Sequence, residues 1–318
     1  MQYYLAPMEG ITTYIYRNAY HKYFGDIDKY FTPFIASKKM NSREKNDILP
    51  EHNIGINLVP QILTNRADEF LQITDKLAEY GYTCVNLNLG CPSGTVTARK
   101  RGSGFLSVPD ELDKFLYEIF EKSPIKISIK TRIGVEDISE WDNLLDIYNK
   151  YPLDELIIHT RLQKEFYNGI PHKESFARAL DVSNTSLCYN GDINSCEKYN
   201  ELISALPDTH NVMIGRGVLQ NPLLIACLKN SEKLKSMDNN SYKTLLQDFH
   251  NELFDNYASI MSGETPALYK LKDLWTYMSR SFTNPDKYIK KIRKANSFSE
   301  YTIAVNNLFR EQSIITTL

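Results

Sequence analysis

The pattern of apolar and polar positions predicts short strands that alternate with helices over the first 228 residues. Strands are indicated by apolar runs or strict alternation, and helices by apolar residues that recur every three to four positions. The predicted strands are residues 2–6, 30–36, 56–62, 84–89, 125–130, 156–159, 186–189 and 212–214. The predicted helices are residues 14–23, 65–80, 110–122, 140–150 and 174–180, one that follows residue 194 and one that ends near residue 228.

Local signals place several helix ends. Asn65 is predicted to cap one helix, with Asp68 as its capping-box partner and Gly81 closing it, and Pro109 is predicted to begin the next. Asn194 is predicted to cap a later helix, with Glu197 three positions on. Eight strand–helix units of this length predict an α/β fold, a (β/α)8 TIM barrel. A doubly wound open sheet is the competing layout, but it seldom needs eight consecutive units.

Beyond residue 228 the pattern changes. Residues 230–241 are polar and typical of a linker, and residues 242–262 and 266–282 have helical spacing. We therefore predict a barrel domain at 1–230 and a small C-terminal helical domain at 231–318. Residues 270–294 hold eight Lys or Arg against two Asp, which favours either a nucleic-acid surface or an ordinary solvated helix face.

Composition adds few restrictions. The net charge of -2 neither indicates nor excludes a nucleic-acid partner. Five cysteines without Cys-x-x-Cys spacing, and the lack of a secretory leader, indicate a reducing compartment and no zinc site. No apolar stretch approaches the length of a membrane span. We expect a cytoplasmic monomer with no membrane and no metal partner.

Polar or turn residues follow nearly every predicted strand. In a barrel, all strand ends lie on one rim, where the loops build the active site. These residues are Met8, Gln61, Asn88 with Cys91, Lys130, His159, Asn190 and the pair Gly215-Arg216. Any one of them suits an ordinary loop, but their convergence on one rim predicts a functional site.

The most informative of these strand exits is Asn88-Leu89-Gly90-Cys91-Pro92, followed by Val96, Gly102-Ser103-Gly104 and Leu106. A cysteine between glycine and proline at a strand end is badly placed to fill a core and well placed to face a ligand. This segment resembles the signature of the tRNA-dihydrouridine synthases, flavin enzymes that reduce a uracil ring within tRNA. The resemblance covers most of residues 3–230.

The resemblance implies FMN as cofactor, NADPH or NADH as reductant and tRNA as substrate, with Cys91 as the acid that protonates C5 of the base. It implies FMN contacts from Pro7, Met8, Glu9, Gln61, Lys130, His159, Asn190, Gly191, Asp192, Gly215, Arg216 and Gly217. Turns after strands seven and eight are where barrels commonly hold phosphate, and a lysine on strand five suits the polar edge of a flavin.

Several further residues are expected to contact RNA. Asn88 is predicted to orient the uracil, and the loop residues Arg99, Lys100 and Arg101 are predicted to reach phosphates, with a solvated loop as the alternative. His159-Thr160-Arg161 resembles the family's His-x-Arg element, which makes Arg161 a substrate candidate. Lys270 and Lys272 lie in the basic C-terminal segment.

Two departures and two rival functions stay open. Residues 168–173 lack the family's Ala-Asp-Trp, and residues 270–275 resemble its basic helical element only loosely. The rivals are an FMN barrel that reduces a free pyrimidine-like small molecule and an RNA-binding barrel without catalysis.

Overall fold

A computed structural model describes residues 1–231 and 237–315. Nine short strands all pair in parallel. They are β1 (Gln2–Leu5), β2 (Lys29–Phe31), β3 (Leu58–Val59), β4 (Gln61–Ile62), β5 (Cys84–Leu89), β6 (Lys126–Arg132), β7 (Leu156–His159), β8 (Leu187–Asn190) and β9 (Asn211–Ile214). Their order is β3-β2-β1-β9-β8-β7-β6-β5-β4.

The two ends of this order are halves of one predicted strand. Pro60 separates β3 from β4, and proline cannot donate to a strand ladder. β3 pairs with β2, whereas β4 pairs with β5, and the Gln61 amide donates to the Thr32 hydroxyl at 2.9 Å. The nine strands therefore form a nearly closed barrel, and the predicted fold class is confirmed.

Helices follow most strands. They span Tyr14–Tyr23, Ser42–Ile48, Ala67–Glu79, Gly94–Thr97, Pro109–Lys122, Glu140–Tyr148, Lys173–Val182, Cys196–Ala205, Arg216–Gln220, Leu224–Leu228, Asn239–Ile260, Glu264–Met278, Asp286–Lys294 and Phe298–Glu311. Single 3-10 turns lie at Pro50–His52, Gly102–Ser107, Gln163–Glu165 and Ser279–Ser281. The predicted helix that ends near residue 228 is thus two short helices.

Two predicted caps are wrong. Arg66, not Asn65, precedes the helix Ala67–Glu79, and the Asn65 side chain instead donates to the Arg99 carbonyl at 3.1 Å. The amide of Lys198 is received by the Ser195 hydroxyl at 3.2 Å, so Ser195 rather than Asn194 caps the helix Cys196–Ala205. In both places the residue next to the asparagine takes the N-cap position, because an asparagine's preference for caps does not determine which group its side chain binds in the fold. The predicted ends at Pro109 and Gly81 are confirmed, with Gly81 at a φ of 87°.

The chain divides into two compact units. The first comprises Met1–Pro7, Asp28–Asp192 and Asn200–Ile214 and contains every strand described above. The second comprises Met8–Ile27, Ile193–Tyr199 and residues from Gly215 onward, and contains the C-terminal helices. A functional division at residue 230 stays a prediction. In the described ranges, no helix has the length and apolar character needed to span a membrane.

The predicted linker overlaps ordered structure. Its residues 232–236 lie outside the described residues, and the helix Asn239–Ile260 already begins within it, capped by the Asp238 carboxylate on the Ser241 amide at 2.7 Å. A second difference concerns cysteine. Cys196 and Cys227 are paired as a disulfide in the second unit, whereas Cys84, Cys91 and Cys188 are not in a disulfide.

The barrel interior is apolar in its middle and polar at the strand starts. Alternate residues from six strands pack together there: Tyr4, Ala6, Phe31, Val59, Ile157, Cys188 and Met213. At the start of the strands, the buried Glu155 carboxylate accepts from the Tyr4 hydroxyl at 2.8 Å and from the Lys29 ammonium at 3.2 Å. Because these groups satisfy one another, the exits of the strands are left to carry the ligand chemistry.

Candidate active site

Cys91 lies just past the end of β5, half-buried, with its backbone held on both sides. The Asn88 side-chain oxygen accepts the amides of Gly90 at 3.0 Å and of Cys91 at 2.5 Å. The Cys91 carbonyl accepts both the amide and the hydroxyl of Ser103, each at 3.0 Å. Gly102 has a φ of 57°, and a β-carbon there would lie 2.5 Å from the Cys91 carbonyl, so glycine is required. The thiol therefore stands on a fixed backbone.

Gln61 and the two asparagines of β5 form a chain of amide hydrogen bonds. Asn88 donates to Gln61 at 2.7 Å, Gln61 donates to Asn86 at 2.7 Å, and Asn86 donates to the Ser128 hydroxyl at 2.9 Å. Gln61, Asn86 and Asn88 all have buried side chains. The chain links the barrel interior to the loop that carries Cys91.

Lys130 lies directly beside Asn88 in the β5–β6 register. Its ammonium is 3.9 Å from the position that a β-carbon on Gly90 would take, and no group in the described part of the chain accepts a hydrogen bond from it. Burial, and next the nearby Arg132 cation, lower the pKa of Lys130 to about 8. A half-buried cation without an acceptor is suited to an anionic or carbonyl-bearing ligand.

Arg132, two residues further along β6, joins two loops of the rim. It is fully buried and donates to the carbonyls of Gly90 at 2.8 Å, Leu162 at 2.8 Å and Phe166 at 2.7 Å. Its guanidinium lies 5.6 Å from the centre of the Tyr167 ring. The cysteine loop and the loop after β7 are thus fixed to each other.

Arg161 ties the far end of the β7 loop to the end of β8. It is fully buried, pairs with both carboxylate oxygens of Asp192, and donates to the carbonyls of Asn168 at 2.9 Å and Gly169 at 2.7 Å. Its remaining N–H faces the His159 ring nitrogen at 3.5 Å. All five donors of Arg161 therefore have protein acceptors, which is the geometry of a structural clamp.

The end of β8 is a tight turn. The Asn190 side chain donates to the Met213 carbonyl at 2.8 Å. A β-carbon on Gly191 would lie 2.9 Å from the Tyr189 hydroxyl and 3.1 Å from the Thr160 hydroxyl, so no side chain fits there. In the strand register, His159 lies beside Asn190 and Arg132 lies beside His159. The predicted site residues at the ends of β5 to β8 therefore lie on neighbouring strands, with Asn88 beside Lys130 and His159 beside Asn190.

The remaining predicted cofactor residues are split between the units. Pro7 ends a segment of the first unit, whereas Met8, Glu9, Gly215, Arg216 and Gly217 belong to the second. The Met8 amide donates to the Thr12 hydroxyl at 2.8 Å. A β-carbon on Gly217 would lie 2.2 Å from the Ile193 carbonyl, so this glycine is required by packing within the second unit.

The cations predicted to contact RNA differ in whether their side chains already have partners in the protein. Arg99 is exposed, and its side chain has no hydrogen-bond or ion-pair partner among the residues described. Lys100 is paired with Glu111 at 3.0 Å, and Arg101 is paired with Glu69 at 3.0 Å and donates to the Ala36 carbonyl at 3.3 Å. In the second unit, Lys270 donates to the Gly10 carbonyl at 2.9 Å, and Lys272 donates to the Ala295 carbonyl. Their roles in RNA binding stay predictions.

Comparison with known proteins identifies the family. The sequence profile described as dihydrouridine synthase (Dus) matches residues 4–311, nearly the whole chain. The chain belongs to the dihydrouridine synthase family. This is a family of flavin-dependent oxidoreductases, so the predicted enzyme class is confirmed.

Individual relatives agree with the family. A probable tRNA-dihydrouridine synthase of Staphylococcus epidermidis is 28% identical over 234 residues, 69% of each chain. A probable tRNA-dihydrouridine synthase 2 of Bacillus subtilis is 26% identical over 265 residues, 80% of this chain and 78% of the relative. Among solved structures, morphinone reductase aligns with a TM-score of 0.47 and 10% identity over 72% of this chain and 85% of its own.

Sequence reasoning missed three features of this dihydrouridine synthase site: the support of Cys91 by Gly102 and Ser103, the Asn86 link, and Arg132. Arg132 was detectable, because on a strand it shares a face with Lys130 two residues earlier. The carbonyl acceptors that Arg132 binds come from loops, and no periodicity in the sequence indicates them.

Proposed function

We propose that this enzyme reduces the C5=C6 bond of a uridine in tRNA to 5,6-dihydrouridine, with FMN as bound cofactor and NADPH or NADH as reductant. The observation that carries the proposal is the arrangement of Cys91, Asn88 and Lys130. The Cys91 thiol is not in a disulfide and its backbone is held by Asn88, and Lys130, beside Asn88 in the strand register, donates to no acceptor among the described residues. The family and the printed names of the two bacterial relatives support it.

Cys91 acts as the general acid that gives its proton to C5 of the base. The thiol is half-buried and its main chain is held at three points, by Asn88 on the amide and by Ser103 twice on the carbonyl. Such support keeps the sulfur at one distance from a base placed over the rim. FMN, when bound, supplies the hydride for C6.

The residues present suit a flavin. The Lys130 ammonium provides a positive charge for the polar edge of the ring, and one N–H of Gln61 remains after its bond to Asn86. The crowded turn at Gly191 and the backbone of Asn190 and Asp192 form one side of the phosphate site. Contacts from Pro7, Met8, Glu9, His159, Gly215, Arg216 and Gly217 complete the proposed set.

For tRNA, the helix Asp286–Lys294 is the strongest phosphate-binding surface. It buries Tyr288, Ile289 and Ile292 and directs a basic face to solvent. The exposed cations on this face are Lys287, Lys290, Lys291, Arg293 and Lys294, of which Lys287 lies 3.6 Å from Glu311. Arg99 adds a free cation in the loop after Cys91. Because a base inside a helix is out of reach, the target uridine must leave its stack to meet the thiol.

The test is reconstitution. The purified protein should be yellow, and with NADPH it should convert uridine to dihydrouridine in tRNA isolated from cells that lack the gene, as measured by mass spectrometry of nucleosides. A dihydrouridine map of RNA from cells with and without the gene then identifies the position. A colourless protein would support a non-catalytic RNA-binding barrel, and turnover of a free pyrimidine without tRNA would support the small-molecule alternative.

A further inference from the structure

Three apolar side chains project into solvent from the loop that follows β7. Phe166 is 48% exposed, Tyr167 is 50% exposed and Ile170 is 83% exposed. We name these three side chains the apolar platform. Scattered exposed apolar residues are normal in proteins, but three within five positions of one loop are a concentration that suits an interaction site.

The backbone under the apolar platform is held rigidly. Arg132 and Arg161, both fully buried, together donate to four carbonyls of this loop: Leu162, Phe166, Asn168 and Gly169. Burying a guanidinium costs free energy unless its donors have hydrogen-bond acceptors. Two buried guanidinium groups that donate to the carbonyls of one loop therefore hold its backbone in place. The loop is therefore preorganised, with the Tyr167 ring near the Arg132 guanidinium and the His159 ring while half of that residue stays exposed.

Phe166 supplies an independent sign of function. Its φ is 52° and its ψ is -100°, a backbone conformation that an aromatic residue rarely adopts, and the bond from Arg132 to its carbonyl at 2.7 Å holds it there. Strain of this kind persists where the surrounding structure enforces it, and it clusters at functional sites. The effect of the strained turn is to leave about half of the Phe166 side chain in solvent.

The charges around the loop indicate which part of a nucleic acid would contact it. His172 lies between the carboxylates of Glu165 at 2.9 Å and Glu174 at 3.2 Å, and the exposed Lys164 lies 3.7 Å from Glu136. Lys164 and His172 each face a carboxylate, which leaves less of their charge for a phosphate, whereas the flat faces of bases stack on aromatic side chains without any need for charge. Base faces, and not the sugar–phosphate chain, suit this surface.

We propose that the apolar platform of Phe166, Tyr167 and Ile170 is a docking surface for unstacked nucleobases that neighbour the target uridine. This inference rests on the proposed function, since it takes the polymer to be RNA. It deepens that function by assigning recognition of the flanking bases to the loop that follows β7.

The test compares the affinity of variants for an unmodified tRNA transcript, measured by fluorescence anisotropy at several salt concentrations. Phe166→Gly removes the ring but permits the positive φ, so a weaker affinity would report the ring and not the strain. Ile170→Ser replaces a second apolar side chain of the platform with a small polar one. We expect the double variant to raise Kd about tenfold or more, with the salt slope unchanged, because stacking is neutral whereas phosphate contacts set that slope.

Matched controls come from the same unit. Ile54→Ser and Tyr117→Ala remove side chains that are 80% and 62% exposed, on the segment before β3 and on the helix Pro109–Lys122, and should leave Kd unchanged. Phe166→Tyr should restore the wild-type Kd. A Kd within twofold of wild type in the double variant, a Phe166→Tyr variant as weak as Phe166→Gly, or a flatter salt slope would overturn the platform alone. A wild-type protein that does not bind the transcript would overturn the proposed function as well.

Discussion

The side-chain oxygen of Asn88 accepts the backbone amide of Cys91 at 2.5 Å. The same oxygen accepts the Gly90 amide, and the Asn88 nitrogen donates to Gln61, so one asparagine connects the proposed acid to the proposed flavin contact. Asn88 therefore acts on Cys91 through the backbone, besides any contact of its own with the uracil.

Asn88→Ala should lower turnover more than cofactor content. The substitution leaves the amides of Gly90 and Cys91 without their acceptor, at a cost of about 1–3 kcal/mol per buried group. We expect kcat for tRNA to fall at least about tenfold and the melting temperature to fall with it. Asn149→Ala, which removes a side-chain bond to the Val182 carbonyl, is a stability control that should leave kcat unchanged. Equal kcat in both variants would contradict a positioning role for Asn88.

Cys91→Ala should retain bound flavin but slow tRNA reduction about 100-fold or more, because general acid catalysis contributes about 10²–10⁴-fold. The flavin spectrum and single-turnover formation of dihydrouridine are the two measurements. Cys84→Ala is the matched control, since Cys84 is also free and half-buried but lies at the start of β5. Wild-type rates in Cys91→Ala would remove the assignment.

Lys130 gives the cofactor affinity a pH dependence. Its pKa is lowered to about 8, first by burial, so the ammonium loses its proton between about pH 7 and 9 instead of near its ordinary pKa of 10.5. We expect FMN to bind more weakly as the pH rises through that range, as measured by flavin fluorescence. Lys130→Met should bind FMN weakly with a flat profile. Parallel curves for the two proteins would show that the lysine charge does not reach the flavin.

Lys130 should also lower the free energy of unfolding of the protein when no cofactor is bound. Because the folded pKa lies below the unfolded one, the charged form is disfavoured in the fold, and the penalty is complete below about pH 8 and gone above about pH 10.5. Lys130→Met should therefore raise the melting temperature at pH 7, by about 2 °C or more, and raise it less at pH 10. Thermal melts at the two pH values decide this.

Arg99 and Arg101 should separate into different roles. Arg101 is held by Glu69 and by the Ala36 carbonyl, so Arg101→Ala should lower the melting temperature. The Arg99 side chain is exposed with no partner in the described residues, so Arg99→Ala should raise the KM for tRNA and reduce the salt slope without a change in melting temperature. If both variants change only the melting temperature, neither arginine contacts RNA.

The sequence was sufficient for much of this molecule because periodicity and strand exits are local signals. The barrel, the exit of Cys91 from β5 and the placing of Lys130, His159 and Asn190 on neighbouring strands all follow from that pattern. Contacts between residues that are distant in sequence do not follow from that pattern. Glu69 pairs with Arg101 across 32 residues, and Arg161 pairs with Asp192 across 31. The sequence predicts RNA contacts for both cations because it does not indicate these partners.

The break at Pro60 gives the barrel a seam. Gln61 lies on the β4 side of that break, where it is paired with Asn86 of β5, whereas Leu58 and Val59 are paired with β2. Gln61 is also held from the β2 side, because its amide donates to the Thr32 hydroxyl at 2.9 Å and its carbonyl accepts the Ile35 amide at 2.8 Å. The position of Gln61 therefore does not depend on an unbroken ladder through Pro60.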